Sequence, residues 1–488
     1  MHFLELPEDL LIQIVGFMTP RELLRLKQTC RGMYAFGSMD VVWHNVRIDT
    51  PLSTHFRNSR HIRRIPAKEL QPHVMRALRL DANWRLRHPA IKCLRQLDNE
   101  GTVSKMQLLQ DSQWLLAFSR RNREETWISL WDLREPDLPP PSPIRFQAAA
   151  DSVSAAIIGD GSLALVATVY EERAAQFLTV YEVPLDGGYF HGGSSAFRSE
   201  TLLTTPLNTG YPFLGEIQVY QNLVAVTVVK FEAMEVKTSV LLYHARRKYS
   251  ITIELGELHP SYRNRVPQLR LAADRFILTN IHIDQPSSEM PLTISQYRLP
   301  EQMLPSMHVP PRDAGELQSS TISICELELI SNYTRLFRHP KTPICYVSQA
   351  LDRIATLIFE AHSDAWDITR TSFIHALPLD APTEVGLARG MLNRFSLQVA
   401  AMQENVAMGD AGYRAVWVEH DLESNDYRMM KMVIPIDDEE PVQIAELFPP
   451  NKALPFRLEA CLSLAFDDVS GRLCFGVLNS CIYIMDFA

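Results

Sequence analysis

The stretch KMQLLQDSQWLLAFSR (105–120), followed by TWISLWDL (126–133), places three apolar runs around a polar four-residue turn and a charged hairpin. Runs of this length, rich in aromatic and aliphatic residues and bounded by turn formers, read as strands rather than helices. The turn Gln110-Asp111-Ser112-Gln113 supplies residues that tolerate hairpin backbone angles. Helical periodicity nearly vanishes from Thr102 onward.

The same unit recurs. SAAIIGDGSLALVATV (154–169) precedes FLTVYEV (177–183), and EIQVYQNLVAVTVV (216–229) precedes SVLLYHA (239–245). QLRLAADRFILTNI (268–281) leads to LTISQYRL (292–299), and ICYVSQALDRIATLIF (344–359) leads to TSFIHAL (371–377). FSLQVAAMQENVAMGD (395–410) with AVWVEHDL (415–422) is the sixth unit, and residues 461–487 are the last. The third strand tends to carry an aromatic residue: Trp131, Tyr181, Tyr243, Tyr297, Trp417 and Tyr483, with Ile374 standing in the fifth unit. Second strands are expected to start near Trp114, Leu163, Leu223, Phe276, Ile354, Val406 and Leu473. KYSITIELGEL (248–258), PVQIAELF (441–448) and SETLLTTPL (199–207) are candidate fourth strands. Repeats at this period are the signature of radial or solenoid architectures.

The series resembles a seven-bladed β-propeller of degenerate WD-repeat type, expected over 102–488. The Trp-Asp dipeptide stands at 131–132 and again at 366–367, and no Gly-His pair opens a repeat. Six or eight blades, or a two-sheet sandwich array, stay open as alternatives. The last unit ends at Phe487 without a fourth strand, and PAIKCLRQL (89–97) is expected to supply it from the N-terminal side.

The first forty-eight residues differ in kind. In LELPEDLLIQIVGFMTPRELLRLKQTC (4–30), Leu10, Leu11, Ile14, Val15 and Met18 have helical spacing. Pro7 suits a first helical turn, with Glu8 and Asp9 at the positive end of the dipole. Thr19, Pro20 and Glu22 form a second start of capping-box type. Gly32 and Gly37 bracket a third element, and Val41, Val42, Trp43 and Val46 anchor a fourth. Short helices this rich in leucine carry more apolar surface than so few residues can bury among themselves.

Leu6-Pro7-Glu8-Asp9-Leu10-Leu11, Ile14, Pro20, Leu23-Leu24-Arg25-Leu26, Cys30-Arg31 and Trp43 reproduce the order and spacing of an F-box. Met18 and Val42 depart from its usual leucines, as conservative volume changes. The resemblance implies docking on the Skp-type adaptor of cullin–RING ubiquitin ligases. Leu6, Pro7, Leu10, Leu11, Ile14, Leu23, Leu26 and Cys30 would form or support the adaptor-facing surface, some of these leucines being internal core. Trp43 would hold the third helix in place.

Residues 49–101 read as a basic, partly helical linker. Between Pro51 and Leu97 stand eleven Lys or Arg against Glu69 and Asp81, so this segment is +9 in a chain of −9 and the rest carries −18. The expected role is a stiff connector, broken into pieces by Pro51, Pro66, Pro72 and Pro89, whose arginines are solvated or pair with the acidic remainder. Overall acidity argues against nucleic acid as a partner.

Seven cysteines without a CxxC pair point to a reducing compartment, cytoplasmic or nuclear. No run approaches a membrane span, and the acidic first turn does not fit a signal peptide. Catalytic motifs of the GxSxG, GxxxxGK[ST], GxGxxG and HExxH kinds are absent from the sequence. GGYFHGG (187–193), PPPSP (139–143) and DDEE (437–440) read as connectors or loop tips, and His282 with Asp284 as a polar strand face. No cofactor, metal or catalytic residue is expected.

The composite expectation is a small all-α F-box module and helical linker followed by a large all-β domain. It would be the non-catalytic substrate receptor of an SCF-type ligase, with an unidentified substrate protein on the propeller face. A non-degradative F-box scaffold and a ligand-binding or enzymatic propeller are the alternatives.

Overall fold

The computed structural model describes residues 6–48, 52, 65–121, 125–135, 142–158, 161–172, 175–185, 198–206, 213–232, 235–258, 267–272, 274–281, 290–304, 318–337, 344–349, 353–364, 367–378, 393–397, 401–421, 424–434 and 442–488. Arg57, Arg60, Arg63 and Arg64, the 187–193 and 437–440 segments, Pro139–Pro141, Gly159, Asp160, His282 and Asp284 lie outside them. Two compact units are present. One comprises Met1–Leu97, Met402–Phe475 and Ile482–Ala488, the other Asp98–Ala401 and Gly476–Cys481.

In the first unit the chain begins with four short helices: α1 (Glu8–Val15), α2 (Pro20–Lys27), α3 (Arg31–Phe36) and α4 (Asp40–Asn45). Pro7 is the N-cap of α1 rather than part of its first turn, with ψ of 142°. Gly32 falls inside α3, which Cys30 caps. A fifth helix, α5 (Ala67–Arg85), follows. Contrary to expectation, α5 runs unbroken through Pro72. A proline at its sixth position deletes one hydrogen bond, and its ring points to solvent, while Leu70 and Val74 beside it are fully buried. Burial of the flanking face outweighs the lost bond.

Two sheets complete this unit. One orders its strands Ala401–Met408, Arg414–Asp421, Asp426–Val433 and Gln443–Glu446. The assignment of FSLQV to this sheet is corrected: Asn393–Leu397 is the last strand of the preceding one. Val406 therefore lies in a first strand and Trp417 in a second, one strand earlier than the spacing suggested. The reason is local, because three residues (398–400) separate two strands of different sheets and leave the apolar pattern almost continuous.

The other sheet orders Cys93–Asp98, Cys481–Asp486, Arg472–Val477 and Cys461–Asp467. Its outer strand comes from the linker. Lys92 N–H donates to Asp486 O (2.8 Å) and Asn99 N–H to Ser480 O (3.0 Å), an antiparallel run. Cys474, fully buried here, has its thiol pushed up to about 12 by burial and stays protonated.

The second unit is a succession of antiparallel meanders. Thr102–Leu109, Trp114–Arg120, Thr126–Asp132 and Ile144–Gln147 form one, and Ser152–Ile158, Leu163–Glu172, Ala175–Pro184 and Arg198–Pro206 the next. Further on, Gln268–Leu271, Arg275–Ile281, Met290–Arg298 and Leu329–Phe337 pair in order, as do Ile344–Gln349, Arg353–Asp364, Asp367–Pro378 and Asn393–Leu397. Four-stranded meanders of this kind resemble the blades of a WD-like propeller.

One sheet departs from the pattern. Phe213–Tyr220, Leu223–Glu232, Glu235–His244 and Tyr249–Leu258 are joined by a fifth strand, Gln318–Ser323, paired in parallel with Tyr249–Leu258. That strand lies in the long interval between Met290–Arg298 and Leu329–Phe337, which sequence spacing alone showed only as extra length.

Candidate functional site

On α1 the apolar residues divide cleanly. Leu11 and Val15 are buried with Leu23, Met33, Phe36, Val42, Trp43 and Val46, while Leu10 and Ile14 are 45% and 36% exposed. Phe17, just past the helix end, is 88% exposed. Positions 10, 14 and 17 follow helical spacing, so they form one stripe on the side away from the core. Tyr34, Met39 and Val41 on α3 and α4 are exposed as well. Of ten large apolar side chains exposed among the described residues, six fall between Leu10 and Val41. Single exposed apolar residues are ordinary; six of them within residues 10–41 are a concentration.

The scaffold behind the stripe is tightly specified. Thr19 Oγ1 accepts from Glu22 N–H (3.4 Å), and a Glu22 carboxylate oxygen accepts from Thr19 N–H (2.7 Å). That backbone bond, with help from the Thr19 hydroxyl, holds the Glu22 carboxyl below its usual range. Trp43, fully buried, donates its Nε1–H to Gly37 O (2.9 Å). Gly37 has no room for a side chain, because a Cβ there would stand 2.5 Å from Lys27 Cγ. Lys27 is itself buried, with its pKa lowered by burial. It donates to Gln71 Oε1 (2.8 Å) and lies 5.1 Å from the Tyr34 ring centroid.

The sequence-selected positions therefore take different places. Leu10, Ile14, Pro7 and Cys30 are exposed, Leu6 and Leu26 are half-buried against the core, and Leu11 and Leu23 lie within it. Phe17 was missed; its only sequence signal is an aromatic residue off the buried phase of α1. The four helices share their core with α5, through Ala67, Leu70, Val74, Ala77 and Leu78. Asp40 on α4 accepts from Ala67 N–H (2.6 Å), and His44 Nε2 bonds Ile65 O (2.8 Å). The cap of α5 is thus supplied by α4.

At its other end α5 enters the two sheets of the same unit. Asp81 receives Arg21 from α2 (2.9 Å), Arg85 from its own helix (2.9 Å) and Arg414 from the strand Arg414–Asp421 (3.2 Å). Arg414 is 1% exposed and also donates to Asp468 O. Trp84, fully buried, lies with its ring centroid 5.2 Å from Phe466 and 5.3 Å from Phe487. Lys431 donates to the carbonyls of Trp84 and Leu86, and Asn83 Nδ2 donates to Phe487 O (2.8 Å). Gly471, at φ +70°, leaves the space that Leu80 fills.

Among the described residues no group of three or more His, Cys, Asp or Glu side chains could hold a metal ion. Nor is any described helix long and apolar enough to cross a membrane.

A family model described as F-box-like matches residues 3–49. The N-terminus is an F-box-like domain. Comparison with curated proteins returns no match. Among solved structures, the WD40 domain of SCAP from fission yeast aligns at 8% identity over 79% of this chain and 82% of its own, with a TM-score of 0.37. A chain in the crystal structure of the mitotic checkpoint complex aligns at 10% identity over 81% and 91%, with a TM-score of 0.40. The F-box-like domain thus carries the exposed stripe of α1.

Proposed function

We propose that this protein is a substrate-recognition subunit of an SCF-type cullin–RING ubiquitin ligase. Its F-box-like domain would bind a Skp-type adaptor, and its β region would bind a substrate protein. The observation that carries this reading is the stripe Leu10, Ile14 and Phe17, left open by a core that is complete without it. Covering the exposed parts of these side chains removes apolar surface from water at about 25 cal/mol per Å², a favourable contribution at the centre of an interface. Leu11 and Leu23 support the stripe from below rather than touching the adaptor.

In this role the chain does no bond chemistry. It raises the effective concentration of a substrate near the ubiquitin-transfer machinery. The stiffness of α5 fits that role, since proximity is useful only when the spacing is held.

The test is pulldown of a Skp-type adaptor and cullin by the full-length chain. Leu10→Asp with Ile14→Asp should reduce adaptor capture about a hundredfold or more while the thermal transition stays in place. Unchanged capture by this variant rejects the reading. Adaptor capture without cullin replaces it with a non-degradative scaffold.

A further inference from the structure

The solvent side of α5 takes part in neither of its packing interfaces. At ~100° per residue, Lys68, Pro72, Arg76 and Arg79 fall within roughly 80° of one another, opposite Leu70, Val74 and Ala77. Lys68, Arg76 and Arg79 are exposed, and among the described residues none of them forms an ion pair or a side-chain hydrogen bond. Glu69 and Asp81, the helix's two carboxylates, leave these charges largely uncompensated. Asp81 is on the buried side, held by three arginines, and Glu69 stands alone in the first turn. Arg76 and Arg79, three residues apart, are like charges on one face and cost the helix some stability. The stripe runs ~16 Å along an element fixed at both ends, so its charges are held in a constant array.

Three kinds of anionic partner could meet such a face. Single-stranded nucleic acid is bound by cations interleaved with aromatic platforms. The aromatic residue of this helix, Trp84, is fully buried. A membrane surface is bound by basic residues beside exposed apolar ones. Among the described residues, Leu86, beyond the helix end, is the single large apolar side chain exposed on or next to α5. Carboxylates need neither, and arginine guanidinium groups match them in paired hydrogen bonds. We infer that the outer face of α5, through Lys68, Arg76 and Arg79, is a docking surface for an acidic segment of a partner protein. This face is separate from the α1 stripe, so the inference stands or falls independently of adaptor binding.

Fluorescence anisotropy of a fluorescein-labelled oligoglutamate peptide, titrated with the full-length chain at low salt, tests it directly. Binding should weaken steeply as salt approaches physiological strength. Arg76→Glu with Arg79→Glu should weaken it about tenfold or more, while Arg76→Lys with Arg79→Lys retains most of it. If the glutamate variant is poorly folded, Arg76→Gln with Arg79→Gln serves, with an expected loss of about threefold or more. No binding by the unaltered chain, or equal binding by the charge-altered variants, overturns the inference. So does tighter binding of a single-stranded RNA of equal charge that the same substitutions abolish.

Discussion

The two ends of α5 are held by different physics. Toward its N-terminus it packs into the F-box-like core mainly through the apolar seam of Leu70, Val74, Ala77 and Leu78, with the Asp40 cap and the Lys27–Gln71 bond beside it. Its C-terminal half is fixed by Asp81, Asn83, Trp84 and the bonds from Lys431 and Arg414. An apolar seam holds two surfaces together but tolerates small rotations. A carboxylate that receives three guanidinium groups from three elements tolerates very little, because each bond has its own direction. One end supplies adhesion and the other orientation.

The largest expected effect tests the oriented end. Asp81→Ala removes the common acceptor of Arg21, Arg85 and buried Arg414, leaving Asp468 as the remaining carboxylate near Arg414, and should cost about 3–5 kcal/mol, measured as a loss of unfolding free energy in urea. A loss no larger than that of an exposed ion pair would show that the cluster does not fix the helix. Next comes the apolar end. Leu70→Ala should cost about 2–4 kcal/mol, and hydrogen exchange should then rise in α1–α5 more than in the strands Arg414–Asp421 and Asp426–Val433. Equal rises at both ends would mean that the two seams melt as one.

The smallest effect separates the ends by pH. Burial, with Arg414 nearby, lowers the pKa of Lys431 from 10.5 to about 8. Between about 8 and 10.5 the unfolded chain holds this proton and the native one releases it, so raising pH through that window favours the native state. Thermal scans from pH 7.5 to 9.5 should show this gain superimposed on the general trend, and Lys431→Met should remove it. A Met variant with an unchanged pH slope would rule out Lys431 as its source. At the other end buried Lys27, on Gln71, is shifted in the same direction, so the Lys431→Met comparison is what assigns the gain to this end.

The sequence made one half of this contrast legible. Val74, Ala77 and Leu78 are in helical phase, and that periodicity survives Pro72. The strands were readable for the same reason, since apolar runs and turn formers are local signals. Where two strands of different sheets almost touch in sequence, at 393–408, the local signal ran on and shifted the assignment by one strand. Asp81 was visible as one of two acids in a strongly basic segment, but its partners Arg21 and Arg414 lie 60 and 333 residues away. Nothing local announces such a meeting. In the F-box-like domain the helix starts were legible from Pro7, Thr19 and Glu22, whereas the division between buried Leu11 and exposed Leu10 required knowing which side of α1 faces α4.

The sequence by itself determined the character of the parts: short capped helices with surplus apolar surface, a basic connector, and repeated β-meanders. Those follow from propensity, periodicity and turn chemistry, which act over a few residues. The tertiary structure alone decided that residues 67–85 of the connector form one unbroken helix, capped by Asp40 and clamped at Asp81. The outer strand Cys93–Asp98 was already expected from the sequence, whereas the tertiary structure again decided that Leu10, Ile14 and Phe17 are left uncovered. Each of these depends on groups brought together from distant parts of the chain, and burial and pairing at that range have no counterpart in local sequence.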